Sequence, residues 1–229
     1  MERIVHLHIP KTAGTALRES LASTKEMVIQ QITSHGQDAK EESGFVSGHF
    51  SFNEAKNYGN NIITVMRDPI DRFISIYYFL KSLHRNNVEK TEKTKIASNL
   101  NIIDFAKSFD SMELISELYN HVTWQLHSDY RLFSRGHHIS SEGFTYKKLI
   151  NDTIENLKGF SVVGFQDQYS VFVENVNEKF GLSVPVKKIN ATDERKDVAE
   201  LSEEERVAIL RWVEADMELY NRARDIFGH

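Results

Sequence analysis

Apolar and polar residues alternate along Arg3-Ile-Val-His-Leu-His-Ile9, with Val5, Leu7 and Ile9 on one side and His6 and His8 on the other. A period of two predicts a strand over 3–9, and Pro10 ends it. After a short loop, Ala16, Leu17 and Leu21 recur at helical spacing, which predicts a helix near 15–23. Ile62-Ile-Thr-Val-Met66 is an almost unbroken apolar run, the pattern of a parallel strand covered on both faces. The next helix start is marked by Asp68 as N-cap and Pro69 at the first helical position. Ile70, Phe73, Ile74 and Tyr77 then form its buried stripe. Phe160–Phe165 predicts a third strand, followed by a helix around 168–180. Ser202-Glu-Glu-Glu205 reads as a capping box opening a helix that runs to about Phe227. Strands alternating with helices predict an α/β fold: three layers, P-loop-like, with a central parallel sheet flanked by helices and right-handed crossovers. No repeat or linker interrupts the 229 residues, so a single domain over 1–229 is expected.

Composition narrows the classes. Hydrophobic residues make up 40% and charged residues 27%, with a formal net charge of −5. That balance suits a globular protein and argues against non-specific binding to nucleic acid or membranes. Cysteine is absent, which excludes disulfides and thiolate chemistry and fits a reducing compartment. The apolar run Ile4–Ile9 is too short and too interrupted for a signal peptide, and no stretch approaches the roughly 20 apolar residues of a membrane span. A soluble, cytoplasmic protein is the expectation. Between 81 and 99, Lys81, His84, Arg85, Lys90, Lys93 and Lys95 outnumber Glu89 and Glu92. The stretch reads either as a solvated loop or frayed helix end, or as a lid or rim attracting an anionic substrate.

The candidate chemistry starts at His8-Ile-Pro-Lys11-Thr12-Ala13-Gly14-Thr15. A strand, a tight Lys- and Gly-bearing loop and a helix start make an anion site: backbone N–H groups and the helix N-terminus face the anion, and Lys11 adds a full charge. Gly14 permits close approach, and Thr12 and Thr15 add hydroxyls. The order differs from a Walker A loop, where Gly-Lys-Ser/Thr closes the motif. At the carboxyl end of the second strand stands Arg67, where ligands of open α/β sheets bind and where a guanidinium can fork onto a phosphate. Asp68, Arg72 and Ser75 follow at i, i+4 and i+7, so Ser75 lies beside the apolar stripe and in register with Arg67.

These two motifs resemble the sulfotransferases that use 3′-phosphoadenosine 5′-phosphosulfate (PAPS), in the branch of carbohydrate enzymes such as heparan sulfate 2-O-sulfotransferase. Arg67-Asp-Pro-Ile-Asp-Arg-Phe-Ile-Ser75 is the most specific match. The resemblance implies that Lys11, Thr12, Ala13, Gly14, Thr15 and Ala16 hold the 5′-phosphosulfate, and that Arg67 and Ser75 hold the 3′-phosphate. Gly48-His49-Phe50 is similar to the segment bearing the family's base, which implies His49 in that role. Asn190-Ala-Thr192 with Arg195 is similar to the late loop that closes over the nucleotide. Val163–Asp167 and Asp216–Tyr220 are similar to a late strand end and the C-terminal helix. Two positions depart: Ala16 stands where many members carry a hydroxyl, and Ser47 where the 2-O enzymes have a second histidine. The implied reaction is in-line transfer of a sulfuryl group to an acceptor hydroxyl, on a carbohydrate or small metabolite, with PAP as product and no metal. Lys11 would stabilise the leaving phosphate.

Other residues invite separate readings. His6 and His8 have a spacing that metal sites use, but no third ligand accompanies them, and hydrogen-bonded sheet histidines are the simpler reading. His137-His138 beside Arg135 suit an acceptor cleft or a polar loop. Trp124, Tyr130 and Phe133 suit sugar stacking or core packing. Two other functions compete: an NTP-dependent P-loop kinase, which would need a Walker A loop and a Mg²⁺-binding carboxylate, and a nucleotide-binding module without catalysis.

Overall fold

A computed structural model describes residues 2–24, 27–33, 36–108, 111–127, 146–187 and 195–228. In chain order the elements are β1 (Ile4–Leu7), α1 (Gly14–Thr24), β2 (Val28–Ile32), β3 (Ser43–Gly48), α2 (Phe52–Tyr58), β4 (Asn61–Met66) and α3 (Pro69–Arg85). There follow α4 (Glu92–Asn99), α5 (Ile102–Lys107), α6 (Met112–Leu118), α7 (His121–His127), α8 (Tyr146–Lys158), β5 (Val162–Phe165), α9 (Tyr169–Phe180) and α10 (Glu203–Phe227). The chain divides into two compact units. One comprises residues 1–67, 122–190 and 219–229, the other 68–121 and 191–218.

The first unit is built on a five-stranded sheet of order β2-β3-β1-β4-β5, with every neighbouring pair parallel. Its register places Ile4 beside Phe45 and His6 beside both Ser47 and Ile63. Ile4, Phe45, Ile63, Val65 and Val162 share a buried cluster with Ala16, Leu17 and Leu21 of α1 and with Phe172, Val173 and Val176 of α9. On the opposite face Val5 reaches Gly59 at the end of α2, and Phe165 meets Tyr220 edge-on at 5.6 Å. Helices thus cover both faces, the expected three-layer arrangement around a parallel sheet. Gly164 is required by packing, because a Cβ there would lie 2.3 Å from the Phe172 ring.

Two strands of this unit have weak sequence signals. β3 carries glycine at two of its positions, which lowers strand propensity. Gly48 is needed nonetheless: a Cβ would sit 2.7 Å from the Phe50 ring and 2.9 Å from the Ile32 carbonyl. β2 leaves its first four positions partly or fully exposed, so no apolar alternation marks it. α2 opens on a capping box formed by Ser51 and Glu54.

The second unit packs α3 to α6 and the first part of α10 around Phe73, Phe105 and Trp212. Trp212 donates its indole N–H to the Ala106 carbonyl at 2.7 Å, satisfying the polar atom of a fully buried ring. α3 starts as expected, with Asp68 accepting from the Asp71 N–H. The capping box at Ser202 and Glu205 forms in both directions. α10 breaks at Val213 (φ −129°, ψ 20°), and the buried Asn120 side chain accepts from the freed N–H groups of Ala215 and Asp216. An inserted polar side chain is an ordinary cause of such a break.

The basic stretch 81–99 contains the end of α3, a short connection and α4. Thr94 and Ala97 are buried and Lys93 pairs with Glu117 at 2.8 Å, so much of it is packed helix rather than loop.

Candidate active site

β1 ends at Leu7 and the chain turns through Pro10–Ala13 into α1. Two residues of the turn, Lys11 (φ 69°) and Ala13 (φ 72°), adopt left-handed backbone conformations. Neither is glycine, and such positions cost roughly 1–2 kcal/mol each. Left-handed residues are a feature of backbone nests, in which consecutive N–H groups converge on an anion. Two bonds hold the turn in this shape. Thr12, fully buried, donates its hydroxyl to the Ile9 carbonyl at 2.8 Å, and Arg67 donates to the Lys11 carbonyl at 2.8 Å. The Thr12 hydroxyl therefore braces the loop, whereas sequence reasoning gave it to the phosphate. Ala16 is buried in the core cluster.

α1 begins at Gly14 with Ala13 before it, and its first turn holds no acidic residue. An alanine side chain offers no capping acceptor to the first N–H groups of the helix. Thr15 is exposed there. Gly14 lies directly against His8: a Cβ would be 2.2 Å from the imidazole.

Three histidine rings stand in a row beside this loop. His6 stacks on His8 at 5.2 Å, and His8 on His49 at 4.5 Å. His6 is fully buried, with Nδ1 3.0 Å from the Ser47 hydroxyl and Nε2 without a hydrogen-bond partner among the described residues. Burial, reinforced by His49 and Arg18, pushes its pKa down to about 3. Burial also holds His8 well below the usual histidine value, with His6, His49, Arg18 and Lys11 adding to the effect. Both rings are neutral at ordinary pH.

His49 differs from its two neighbours in being exposed. It sits just past the end of β3, and its Nδ1 is 2.8 Å from the His8 carbonyl oxygen. A carbonyl only accepts, so Nδ1 carries the proton and, in the neutral ring, Nε2 is the basic nitrogen. The Gly48 carbonyl accepts from the His8 N–H at 2.9 Å, tying the ends of β1 and β3 together beneath the rings.

The remaining expected residues are placed as follows. Arg67 follows β4 directly and holds the loop from there. Ser75 is buried on α3. Arg195 is ion-paired with Asp71, the side chains 15% and 19% exposed. Asn190 and Thr192 lie outside the described residues, as do Tyr130, Phe133, Arg135, His137 and His138. Trp124 is a buried residue of α7, the core-packing alternative of the two readings. No group of three or more His, Asp or Glu residues that could hold a metal occurs among the described residues. No helix among them is long and apolar enough to cross a membrane.

Sequence reasoning missed the brace from Arg67 to the loop, the His6–Ser47 contact, and Gln125 of α7. The strand register His6↔Ser47 carries the second of these, and no local pattern announces the others.

A parallel sheet with helices on both faces, whose first strand turns through two left-handed residues into a helix, has the layout of a P-loop-like α/β fold. The profile of the sulfotransferase family matches residues 1–222, and the chain belongs to that family. No curated protein matches it. Among solved structures, mouse sulfotransferase SULT7A1 complexed with PAP is similar at 13% identity and a TM-score of 0.42. The match covers 95% of this chain and 65% of the mouse chain, so this chain spans about two thirds of the mouse protein's length.

Proposed function

We propose that this family member moves a sulfuryl group from PAPS to an acceptor hydroxyl, on a carbohydrate or small metabolite, and that residues 1–229 act as one sulfotransferase domain. The observation that carries the reading is the His49 ring, held with Nε2 basic and stacked on the histidine that packs against Gly14 of the anion loop.

In this reading the N–H groups of the loop and of the α1 start take the 5′-phosphosulfate, with Lys11 and Thr15 beside it. Arg67 takes the 3′-phosphate while still bracing the loop. Ser75, Asn190, Thr192 and Arg195 are assigned to the nucleotide by resemblance. His49 Nε2 accepts the proton of the acceptor O–H as that oxygen attacks sulfur. The S–O bond to the 5′-phosphate breaks, its electron pair stays on the phosphate oxygen, and Lys11 stabilises the charge that develops there. The imidazolium formed on His49 is stabilised by its Nδ1–H bond to the His8 carbonyl and then returns its proton to solvent. The chemistry requires no metal.

A thermal-shift comparison of PAP, AMP and ATP with Mg²⁺ tests the donor. PAP is expected to raise the melting temperature most, and stabilisation by Mg-ATP with none by PAP would refute the assignment. For the base, His49→Ala is expected to lower PAP release from PAPS by about 10²-fold or more across a panel of sugar and phenolic acceptors, with PAP affinity kept. Near-normal turnover would remove His49 from the role.

A further inference from the structure

The amide of Gln125 reaches the segment that carries His49 from a different part of the chain. Gln125 lies on α7 and is 1% exposed. Its Nε2 donates to the His8 carbonyl at 3.1 Å and to the Phe50 carbonyl at 3.3 Å. Both partners only accept, so the orientation of the amide is unambiguous. The first carbonyl is the one that receives His49 Nδ1–H. The second belongs to the residue immediately after His49. One NH₂ group therefore fixes both the hydrogen-bond partner of the imidazole and the backbone that bears it.

The support beneath Gln125 is rigid. Asn156 of α8 donates to the Leu126 carbonyl at 3.1 Å and also to the His127 carbonyl, closing the end of α7. Thr153 of α8 is buried and reaches the Thr123 carbonyl at 3.4 Å. The other end of the Gln125 amide, Oε1, is buried with no hydrogen-bond partner among the described residues. A buried acceptor without a donor is unfavourable, so packing alone would favour an apolar side chain here. The two bonds made by Nε2 are the compensation.

We propose that Gln125 is a positioning residue: it holds the His8 carbonyl where it captures His49 Nδ1–H, and so presents Nε2 to the acceptor hydroxyl. This rests on the reading of His49 as the base. Without the amide, the His8 carbonyl is free to turn, the Nδ1–H form loses its anchor, and the basic nitrogen is no longer held in one direction.

The test uses the full chain with ¹⁵N-labelled histidine, read by long-range ¹H–¹⁵N correlation of the imidazoles, with His49 assigned from a His49→Gln variant. The wild-type ring is expected as the Nδ1–H tautomer. In Gln125→Leu the ratio of Nδ1–H to Nε2–H forms is expected to fall about fivefold, the worth of one hydrogen bond, while PAP affinity stays within about twofold of wild type. A folded Gln125→Leu protein with an unchanged ratio overturns the proposal. If Gln125→Leu does not fold, Gln125→Asn keeps the amide but is too short to reach both carbonyls, and the same fall is expected; an unchanged ratio there overturns it equally. PAP titration separates the two readings, because a wild-type protein that ignores PAP refutes the donor assignment whatever the tautomer does.

Discussion

Replacing Gly14 by alanine puts a methyl group where the His8 ring now lies. The added Cβ would meet Cδ2 and Nε2 of that ring at 2.2 Å, far inside van der Waals contact. The ring has little room to yield, with His6 stacked on one side and His49 on the other. Overpacking of this kind costs about 1–3 kcal/mol. Alanine recovers up to about 1 kcal/mol of helix propensity, and less at a first turn than in a helix interior. A net loss of about 1–2 kcal/mol remains, which in a protein of this size lowers the melting temperature by about 2–8 °C. Turnover should suffer more than stability. Displacing His8 moves both the ring on which His49 rests and the carbonyl that orients it, and a shift near 1 Å costs on the order of 10²-fold. Thermal denaturation followed by circular dichroism, alongside PAP release from PAPS, measures the two effects. A Gly14→Ala protein that melts at or above the wild-type temperature would show that the ring is not confined, and the argument for the histidine stack would fail.

The neutral, buried His6 makes stability depend on pH. Its folded pKa of about 3 lies below the ordinary 6.5, so the unfolded chain binds more protons between those values. Stability is full above about pH 6.5 and is lost as pH falls toward 3, by roughly 4 kcal/mol from this group; urea midpoints from pH 7 to 4 should be visibly flatter in His6→Leu. Asp68→Ala removes the N-cap of α3 and should cost about 1 kcal/mol in urea denaturation. Gly164→Ala drives a Cβ into Phe172 on the α9 face of the sheet; a lower melting temperature with unchanged PAP affinity is expected, setting a packing defect apart from a defect at the loop.

Periodicity and caps located the elements whose burial is one-sided or complete. β4 and β5 are apolar because both faces are covered, β1 showed itself by alternation although its histidine face is buried too, and α3 and α10 announce themselves by Asp68-Pro69 and by Ser202 with Glu205. β2 and β3 were not legible, since one is largely exposed and the other keeps Gly48 for contacts with Phe50 and Ile32 that no local pattern encodes. The site divides in the same way. Lys11 to Thr15 and Arg67 are contiguous motifs whose chemistry depends on residue type and on an adjoining strand end. Residue type alone gave Thr12 a ligand-binding hydroxyl, but the left-handed turn directs that hydroxyl to Ile9. Gln125 was invisible because its role arises from a contact 117 positions away in sequence.

The same geometry accounts for having three histidines together when only one is exposed. A charged ring stacked at 4.5 Å would oppose any proton taken up by His49, and Lys11 already places positive charge near the loop. Burial prevents this, because His6 and His8 stay neutral through the range in which a histidine base works. Substituting a lysine or arginine for His8 would introduce that opposing charge. Substituting an aliphatic residue would remove the flat surface on which His49 rests. The main chain of His8 serves separately, through a carbonyl that accepts a hydrogen bond from His49 Nδ1–H and, in the proposed reaction, would stabilise the imidazolium. His8→Phe keeps a flat ring and the carbonyl but removes the imidazole nitrogens. It should therefore retain more turnover than His8→Leu, and the two variants measured side by side for PAP release separate the stacking surface from the nitrogen atoms. Equal loss in both would place the function of His8 in its nitrogens and overturn the stacking argument.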